Sequence, residues 1–85
     1  SLEQNYPNPF NPTTRINFSV PQNSSSFRLE VFDVSGRIVQ VLHEGRMNAG
    51  NYSVNLEAGD MAGGVYFVRL VAENVNFTRK IILLK

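Results

Sequence analysis

The fold of this chain is decided by residues 27–42, which read FRLEVFDVSGRIVQVL. The opening residues alternate between apolar and charged side chains, as a half-buried strand does: Phe27, Leu29 and Val31 against Arg28 and Glu30. The tetrad at residues 33–36 then places Asp33 first and Gly36 fourth, the positions that these residue types favour in a type I turn. Residues 38–42 are again suited to a strand, so the segment predicts a β-hairpin.

The flanking sequence repeats this pattern at short intervals. Further strands are predicted over residues 15–20, 50–56, 65–72 and 75–84, with Asn74 marking the turn before the last one. Residues 65–72 are apolar at nearly every position, which predicts a strand covered on both faces. No window carries a useful 3.6-residue apolar repeat, so no helix is expected. We predict an all-β, immunoglobulin-like antiparallel β-sandwich of six to seven strands in two sheets.

A proline-punctuated lead-in, residues 1–14, precedes these strands. Its prolines are Pro7, Pro9 and Pro12. Each proline fixes its own φ and disfavours the helical region for the residue before it. We therefore predict a rigid, extended segment whose two aromatic residues, Tyr6 and Phe10, lie against the body of the protein. The organisation predicted is a single domain, residues 1–85, in which the sandwich spans residues 15–85.

Two small-residue segments are interpreted as connections. Ser24, Ser25 and Ser26 are expected to form a polar loop tip. Gly63 and Gly64 are expected to supply positive φ or close packing ahead of a central strand. The glycine-rich residues 59–64 lead into a strand and not into a helix, which excludes the helix N-terminus that a phosphate-binding loop uses.

Composition excludes several classes of function. The 85 residues carry a formal net charge of +1, so no strong field would attract nucleic acid or an anionic bilayer. There is no cysteine for a disulfide framework or thiolate chemistry. No apolar run approaches the ~20 residues that span a bilayer. The first residues do not resemble a signal peptide, so an export signal is expected elsewhere in a longer precursor.

Catalytic and metal-binding residues are not predicted. His43 is the only histidine and is expected to be an exposed residue at a strand end. Asp33 is better explained as the turn residue than as a calcium ligand, because calcium requires several oxygen ligands concentrated in one loop. Asp60, with Glu57 and Asn55 nearby in sequence, is the one thin candidate for such a cluster. We assign no catalytic, cofactor-binding or metal site.

Exposed aromatic side chains could instead form a sugar-binding platform. The candidates are Tyr6, Phe10, Phe32, Tyr66 and Phe67. Most of them are expected in the core, and the chain has no tryptophan. A carbohydrate-binding accessory module nevertheless stays open as an alternative.

The C-terminal segment, TRKIILLK at residues 78–85, allows two interpretations. It combines a basic pair, four consecutive aliphatic residues and a terminal lysine. The first interpretation is a terminal strand docked in the sandwich, with Lys80 and Lys85 as charged residues that discourage aggregation. The second is an edge that another protein recognises by strand addition. Weak dimerisation through the same edge also stays open.

Several ordered motifs resemble one family across essentially the whole chain. They are NYPNPFNPTT at residues 5–14, INFSVP at 16–21, LEVFDVSGRIV at 29–39, AGNY at 49–52, GVYFVRL at 64–70 and TRKIILLK at 78–85. Together they resemble the type A C-terminal sorting domain of the type IX secretion system. The opening motif also resembles immunoglobulin-like domains of flagellar hook-capping proteins, which keeps a structural or assembly module as a further alternative.

The resemblance implies a non-catalytic sorting signal that follows a cargo domain in the same precursor. Such a signal passes through the periplasm, is recognised by an outer-membrane translocon, and is commonly removed by a surface peptidase of the sortase type, so that the cargo is secreted or attached to the cell surface. The residues expected to take part in recognition are Gly64, Val65, Tyr66, Thr78, Arg79, Lys80 and Lys85. Ile81 and Leu83 are expected to be mainly core residues. No cofactor is implied.

Overall fold

The computed structural model describes residues 1–73 and 75–85, so the turn predicted at Asn74 lies outside the described residues. The six described strands are β1 (Thr13–Val20), β2 (Ser24–Asp33), β3 (Ile38–Met47), β4 (Gly50–Glu57), β5 (Gly64–Ala72) and β6 (Val75–Leu83). They form a two-stranded sheet, β1-β4, and a four-stranded sheet in the order β3-β2-β5-β6. Every strand pair is antiparallel. The predicted all-β, immunoglobulin-like sandwich is therefore confirmed, with six strands.

The hydrophobic core lies between the two sheets. The smaller sheet contributes the inward side chains of β1 and β4, which alternate with exposed polar residues as the period of two predicts. The larger sheet contributes fully buried residues such as Leu29, Val31 and Leu70. Phe18 of β1 stacks on Phe27 of β2 with ring centroids 5.5 Å apart, which joins the sheets directly.

The predicted hairpin around residues 33–36 is confirmed. Gly36 adopts a φ of 88° and its N–H donates to the carbonyl of Asp33 at 2.9 Å. The Asp33 carboxylate accepts bonds from the backbone N–H groups of Ser35 and Arg37, each at 3.0 Å. These bonds lower the pKa of Asp33, the hydroxyl of Ser35 contributing most. The Asp33 carboxylate therefore stabilises the turn by accepting hydrogen bonds from its backbone. The second strand of the hairpin runs on to Met47, five residues beyond the predicted end.

The local predictions for the serine run, His43 and β5 are wrong. β2 already begins at Ser24, whose side chain is buried, so the serine run starts a strand instead of forming a loop tip. His43 lies within β3, partly buried, with its ring 5.6 Å from that of Phe27, and is not an exposed strand-end residue. β5 is buried only on its core-facing side; the opposite side chains, among them Phe67 and Arg69, are half-buried. For the first two, the partner is distant in sequence: Ser24 lies opposite Met47, and His43 lies opposite Leu29.

The lead-in wraps onto the sandwich and completes the core. Leu2 and Phe10 are each only 1% exposed, and isolated bridges join Leu2 to Phe18 and Phe10 to Leu83. Tyr6 is 81% exposed, so the prediction that it packs against the body is wrong, whereas that for Phe10 is confirmed. Tyr6 is held beside Arg15 by its backbone alone, through reciprocal N–H to carbonyl bonds of 3.0 and 2.9 Å.

A buried polar cluster holds the turn of the lead-in. Asn5 donates from Nδ2 to the carbonyl of Pro7 at 3.1 Å and to Oγ1 of Thr14 at 3.0 Å. The Thr14 hydroxyl in turn donates to the same carbonyl at 2.7 Å. Both side chains are buried and satisfied by these bonds, which keeps their burial from being costly.

Candidate functional site

The expected recognition residues meet in one pair of strands. β5 and β6 are paired along their whole length, in a register that sets Val65 opposite Ile82, Phe67 opposite Lys80 and Arg69 opposite Thr78. Lys85 lies two residues after the end of β6 and packs against Gly63, where an added Cβ would lie 3.3 Å from the Cβ of Lys85. The two segments proposed from sequence are thus neighbours, and the close packing expected at Gly63 is present.

The individual side chains differ in how accessible they are. Tyr66 faces the core and is 7% exposed, with its hydroxyl donating to the carbonyl of Ala62 at 2.5 Å. Gly64 adopts a φ of 145°, which glycine allows at little cost. Val65 is half-buried on the outer face of the sheet, away from the core. Tyr66 therefore offers a partner no accessible side chain, and its backbone lies between β2 and β6, with which it is paired.

The cationic side chains are exposed but point in different directions. Arg79 and Lys80 are adjacent in a strand and so project from opposite faces of the sheet. Arg79 donates from Nε to the carbonyl of Leu2 at 2.8 Å, which ties it to the lead-in. Lys80 projects from the outer face beside Phe67. Lys85 donates from Nζ to the carbonyl of Gly59 at 2.9 Å.

The aliphatic residues of the last segment are divided between the core and the surface. Ile81 and Leu83 are buried, as predicted, whereas Ile82 is half-buried and Leu84 is exposed. The segment is therefore a docked strand over its C-terminal half. The part of β6 before Ile81 differs, because the side chains of residues 76–80 are all exposed.

The outer edge of β6 is covered over its C-terminal half by the lead-in. The Phe10 N–H donates to the carbonyl of Ile82, and the Leu84 N–H donates to the carbonyl of Phe10, both at 2.9 Å. The Ile82 N–H donates to Oδ1 of Asn8 at 3.0 Å, and Nε2 of Gln4 donates to the carbonyl of Lys80 at 2.7 Å. The lead-in thus pairs with the edge much as a short parallel strand would.

The other half of the same edge is open. In an antiparallel ladder, alternate residues turn their backbone groups outward. Because Ile82 bonds outward to the lead-in, Thr78 and Asn76 must point the same way. Within residues 1–73 and 75–85, the N–H and C=O groups of Thr78 have no protein partner. Phe77, on the core-facing side, is 40% exposed.

A charged cluster on the outer face of the larger sheet was not predicted. Glu30 is 2% exposed, although its alternation with Leu29 and Val31 predicted a solvent-facing side chain. Its carboxylate accepts bonds from both Arg28 and Arg69. Arg69 also lies over the ring of Phe32, 4.9 Å from the centroid. The one available signal was the lone cation Arg69 within an otherwise apolar strand.

Electrostatics favour the ionised form of Glu30. Burial by itself would raise the pKa of this carboxyl, but hydrogen bonds and charges from Arg28 and Arg69 outweigh it, so the pKa lies below its ordinary value. The pKa of Arg28 is correspondingly raised, chiefly by its bond to Glu30. The pairing explains how a carboxylate can be buried at the centre of the outer face.

Other candidate chemistry does not assemble into a site. In the part of the chain that the structure describes, no three His, Asp or Glu side chains are grouped as metal ligands, Asp60 and Glu57 included. Phe10 and Tyr66 are core residues, and Phe32 stacks on Phe67 with centroids 5.5 Å apart on the larger sheet. Tyr6 lies beside β1 of the smaller sheet, so the aromatic residues suggested as a sugar platform do not form one surface. None of the described segments is a helix with the length and apolarity needed to cross a membrane.

These features define a small β-sandwich module whose last strand carries exposed cations and a partly open edge. The chain belongs to the secretion system C-terminal sorting domain family, which it matches over residues 4–84. The expected family is therefore confirmed, and with it a C-terminal sorting signal for type IX secretion, of a kind that is generally non-catalytic. Such a tail implies an N-terminal cargo region and export to the cell surface or secretion. A search of curated proteins finds no match to this chain.

Proposed function

We propose that this domain directs a cargo protein through the outer membrane by presenting β5 and β6, together with Lys85, to the translocon of the type IX system. The observation that carries the proposal is the division of the last segment into buried and exposed parts. Ile81 and Leu83 anchor it in the core, while Thr78, Arg79 and Lys80 are exposed. A folded signal needs both an anchored strand and an accessible one.

The cations are the residues most directly available to a receptor. Lys80 and Lys85 are exposed and form no salt bridge within the described residues. We propose that they make ionic contacts with acidic groups of the translocon. Arg79 adds a further cation, although its bond to Leu2 limits its reach. Gly64, Val65 and Tyr66 shape the neighbouring strand, and Tyr66 acts mainly through packing.

The later steps are inferred from the same family. The precursor passes through the periplasm, a surface peptidase of the sortase type removes the domain, and the cargo is released or attached to the outer surface. The domain itself performs no catalysis. Its role is to be recognised by the translocon.

A reporter fusion tests this function. Residues 1–85 are fused to the C-terminus of a periplasmic reporter in a host with an active type IX system, and the reporter is assayed in the periplasm and outside the cell. The fusion is expected to reach the surface or medium. The double substitution Lys80→Glu and Lys85→Glu is expected to retain the reporter in the periplasm, because it reverses both proposed ionic contacts.

The matched control is Arg15→Glu with Arg46→Glu, which changes the net charge equally at exposed positions on β1 and β3. This control is expected to be exported normally. Circular dichroism should show that both double variants fold. Normal export of the lysine variant would contradict the contact role, and periplasmic retention of the unchanged fusion would contradict the sorting function.

A further inference from the structure

We propose that the open half of the β6 edge, residues 76–80, is a strand-addition site that accepts an extended, acidic segment of the translocon. The inference rests on the proposed sorting function and specifies how the last strand is read. Under this proposal the translocon segment binds by hydrogen bonds to the backbone of β6, and the cations of β6 determine which segment binds.

The first argument comes from the unpaired backbone. The outward N–H and C=O groups of Thr78 lie at an exposed sheet edge without a protein partner in the described residues. An extended peptide alongside β6 would supply both partners, and such pairing gives affinity that is largely independent of side chains. Lys80 extends the row, because its N–H also points outward.

The second argument is that this edge already accepts an extended segment. Phe10 bonds to Ile82 and Leu84 in parallel register, and the Gln4 side chain covers the carbonyl of Lys80. Beyond that point no backbone group of the lead-in bonds to the backbone of β6 in the described residues, and the remaining bond runs from the Arg79 side chain to Leu2. The lead-in therefore sets the boundary of the available site and confines an incoming strand to the half that begins at Lys80 and continues through Thr78.

Charge identifies the occupant. β6 carries two cations, Arg79 and Lys80, and no acidic residue. Antiparallel pairing with a second copy about Thr78 would set Arg79 opposite Phe77 and Lys80 opposite Asn76, so the cations of both copies would meet no counter-charge. A strand with acidic side chains opposite these cations is complementary instead. The half-exposed ring of Phe77 offers an apolar contact on the core-facing side.

The test removes one backbone donor and keeps the fold. Thr78→Pro deletes the outward N–H, which makes no bond to β5, and proline is tolerated at an edge whose N–H faces solvent. Thr78→Ala removes the same side-chain atoms beyond Cβ but keeps the N–H. In the reporter fusion, Thr78→Ala is expected to be exported like the unchanged chain, and Thr78→Pro about tenfold less or worse, as loss of one buried hydrogen bond would produce.

The outcomes separate this inference from the sorting function. Export of a folded Thr78→Pro fusion at the unchanged level would overturn strand addition while leaving the sorting function intact. Retention of the unchanged fusion would overturn both. Should Thr78→Pro fail to fold, amide hydrogen exchange of the unchanged domain decides, measured with and without detergent-solubilised translocon.

Protection of residues 76–80 by the translocon would support the proposal, and unaltered exchange there would refute it. Analytical sedimentation of the domain alone measures whether it forms a dimer. A dimer that protects the same amides would assign the edge to a second copy and overturn the translocon segment as its occupant.

Discussion

Replacing Phe10 by alanine tests whether the lead-in belongs to the folded core. Phe10 is 1% exposed and lies among the buried side chains of the sandwich, while its backbone pairs with Ile82 and Leu84. Truncation of a buried Phe to Ala costs about 3–5 kcal/mol, through lost transfer free energy and the cavity that remains. Phe10→Ala should therefore lower the free energy of unfolding by about that amount.

The loss is large relative to the stability expected for this chain. At about 0.05–0.15 kcal/mol per residue, the 85 residues would have an unfolding free energy of about 4–13 kcal/mol. For a domain of this size, each kcal/mol shifts Tm by about 4–8 °C, so Phe10→Ala should lower Tm by at least about 12 °C. Tyr6→Ala is the matched control, because Tyr6 occupies the same lead-in and is 81% exposed.

The assay is urea and thermal unfolding followed by far-ultraviolet circular dichroism. Tyr6→Ala is expected to change stability by less than about 0.5 kcal/mol, as surface substitutions usually do. A Phe10→Ala loss below about 1 kcal/mol would mean that the lead-in is not part of the cooperative unit. Equal losses for the two variants would refute the assignment of one aromatic to the core and the other to solvent.

Two further predictions concern buried polar groups. The pKa of Glu30 is lower in the folded state, so its stabilising effect is present above its ordinary pKa and is lost as pH falls through the folded value. Glu30→Gln should remove that part of the acid dependence and lower stability near neutral pH by at most about 3–5 kcal/mol, since both paired arginines keep access to water. Glu57→Gln, at an exposed position, should leave stability near neutral pH nearly unchanged, and an unaltered pH dependence of stability for Glu30→Gln would contradict the pairing. Asn5→Ala should cost about 1–3 kcal/mol in urea unfolding, because Thr14 loses a buried partner. The exposed Asn51→Ala should be nearly neutral, so similar values for the two Asn variants would argue against the buried cluster.

The open and covered halves of β6 give the lead-in two roles. It fills the core with Leu2 and Phe10, and it pairs with the edge of the strand that carries Arg79 and Lys80. Family members of this kind follow their cargo, so the segment that covers the edge is also the one nearest the cargo. Anything that loosens the lead-in should lengthen the accessible edge of β6.

Most of the strands, and the inward faces of β1 and β4, could be predicted from the sequence alone. Alternation is a local property, because successive side chains in a strand point to opposite faces. It was sufficient for the inward faces of β1 and β4, whereas the turn at Asp33 followed from the positions that Asp and Gly favour in a type I turn. For residues 81–84 alternation separated two apolar faces without deciding which one is buried. The motifs and their order were sufficient to predict the family, and the match over residues 4–84 confirms it.

Only the tertiary structure decided the features that depend on partners distant in sequence. Tyr6 and Phe10 look alike in the lead-in, yet only Phe10 meets β6, more than 70 residues later. Glu30 occupies a position that alternation assigns to solvent, and its burial depends on Arg69 in a strand that lies beside β2 only after folding. The same holds for the edge of β6, whose covered and open halves are determined by where the lead-in crosses it. The two-residue alternation of a strand specifies which face of the sheet a side chain occupies. The residues that contact that side chain are determined by packing between segments far apart in the chain.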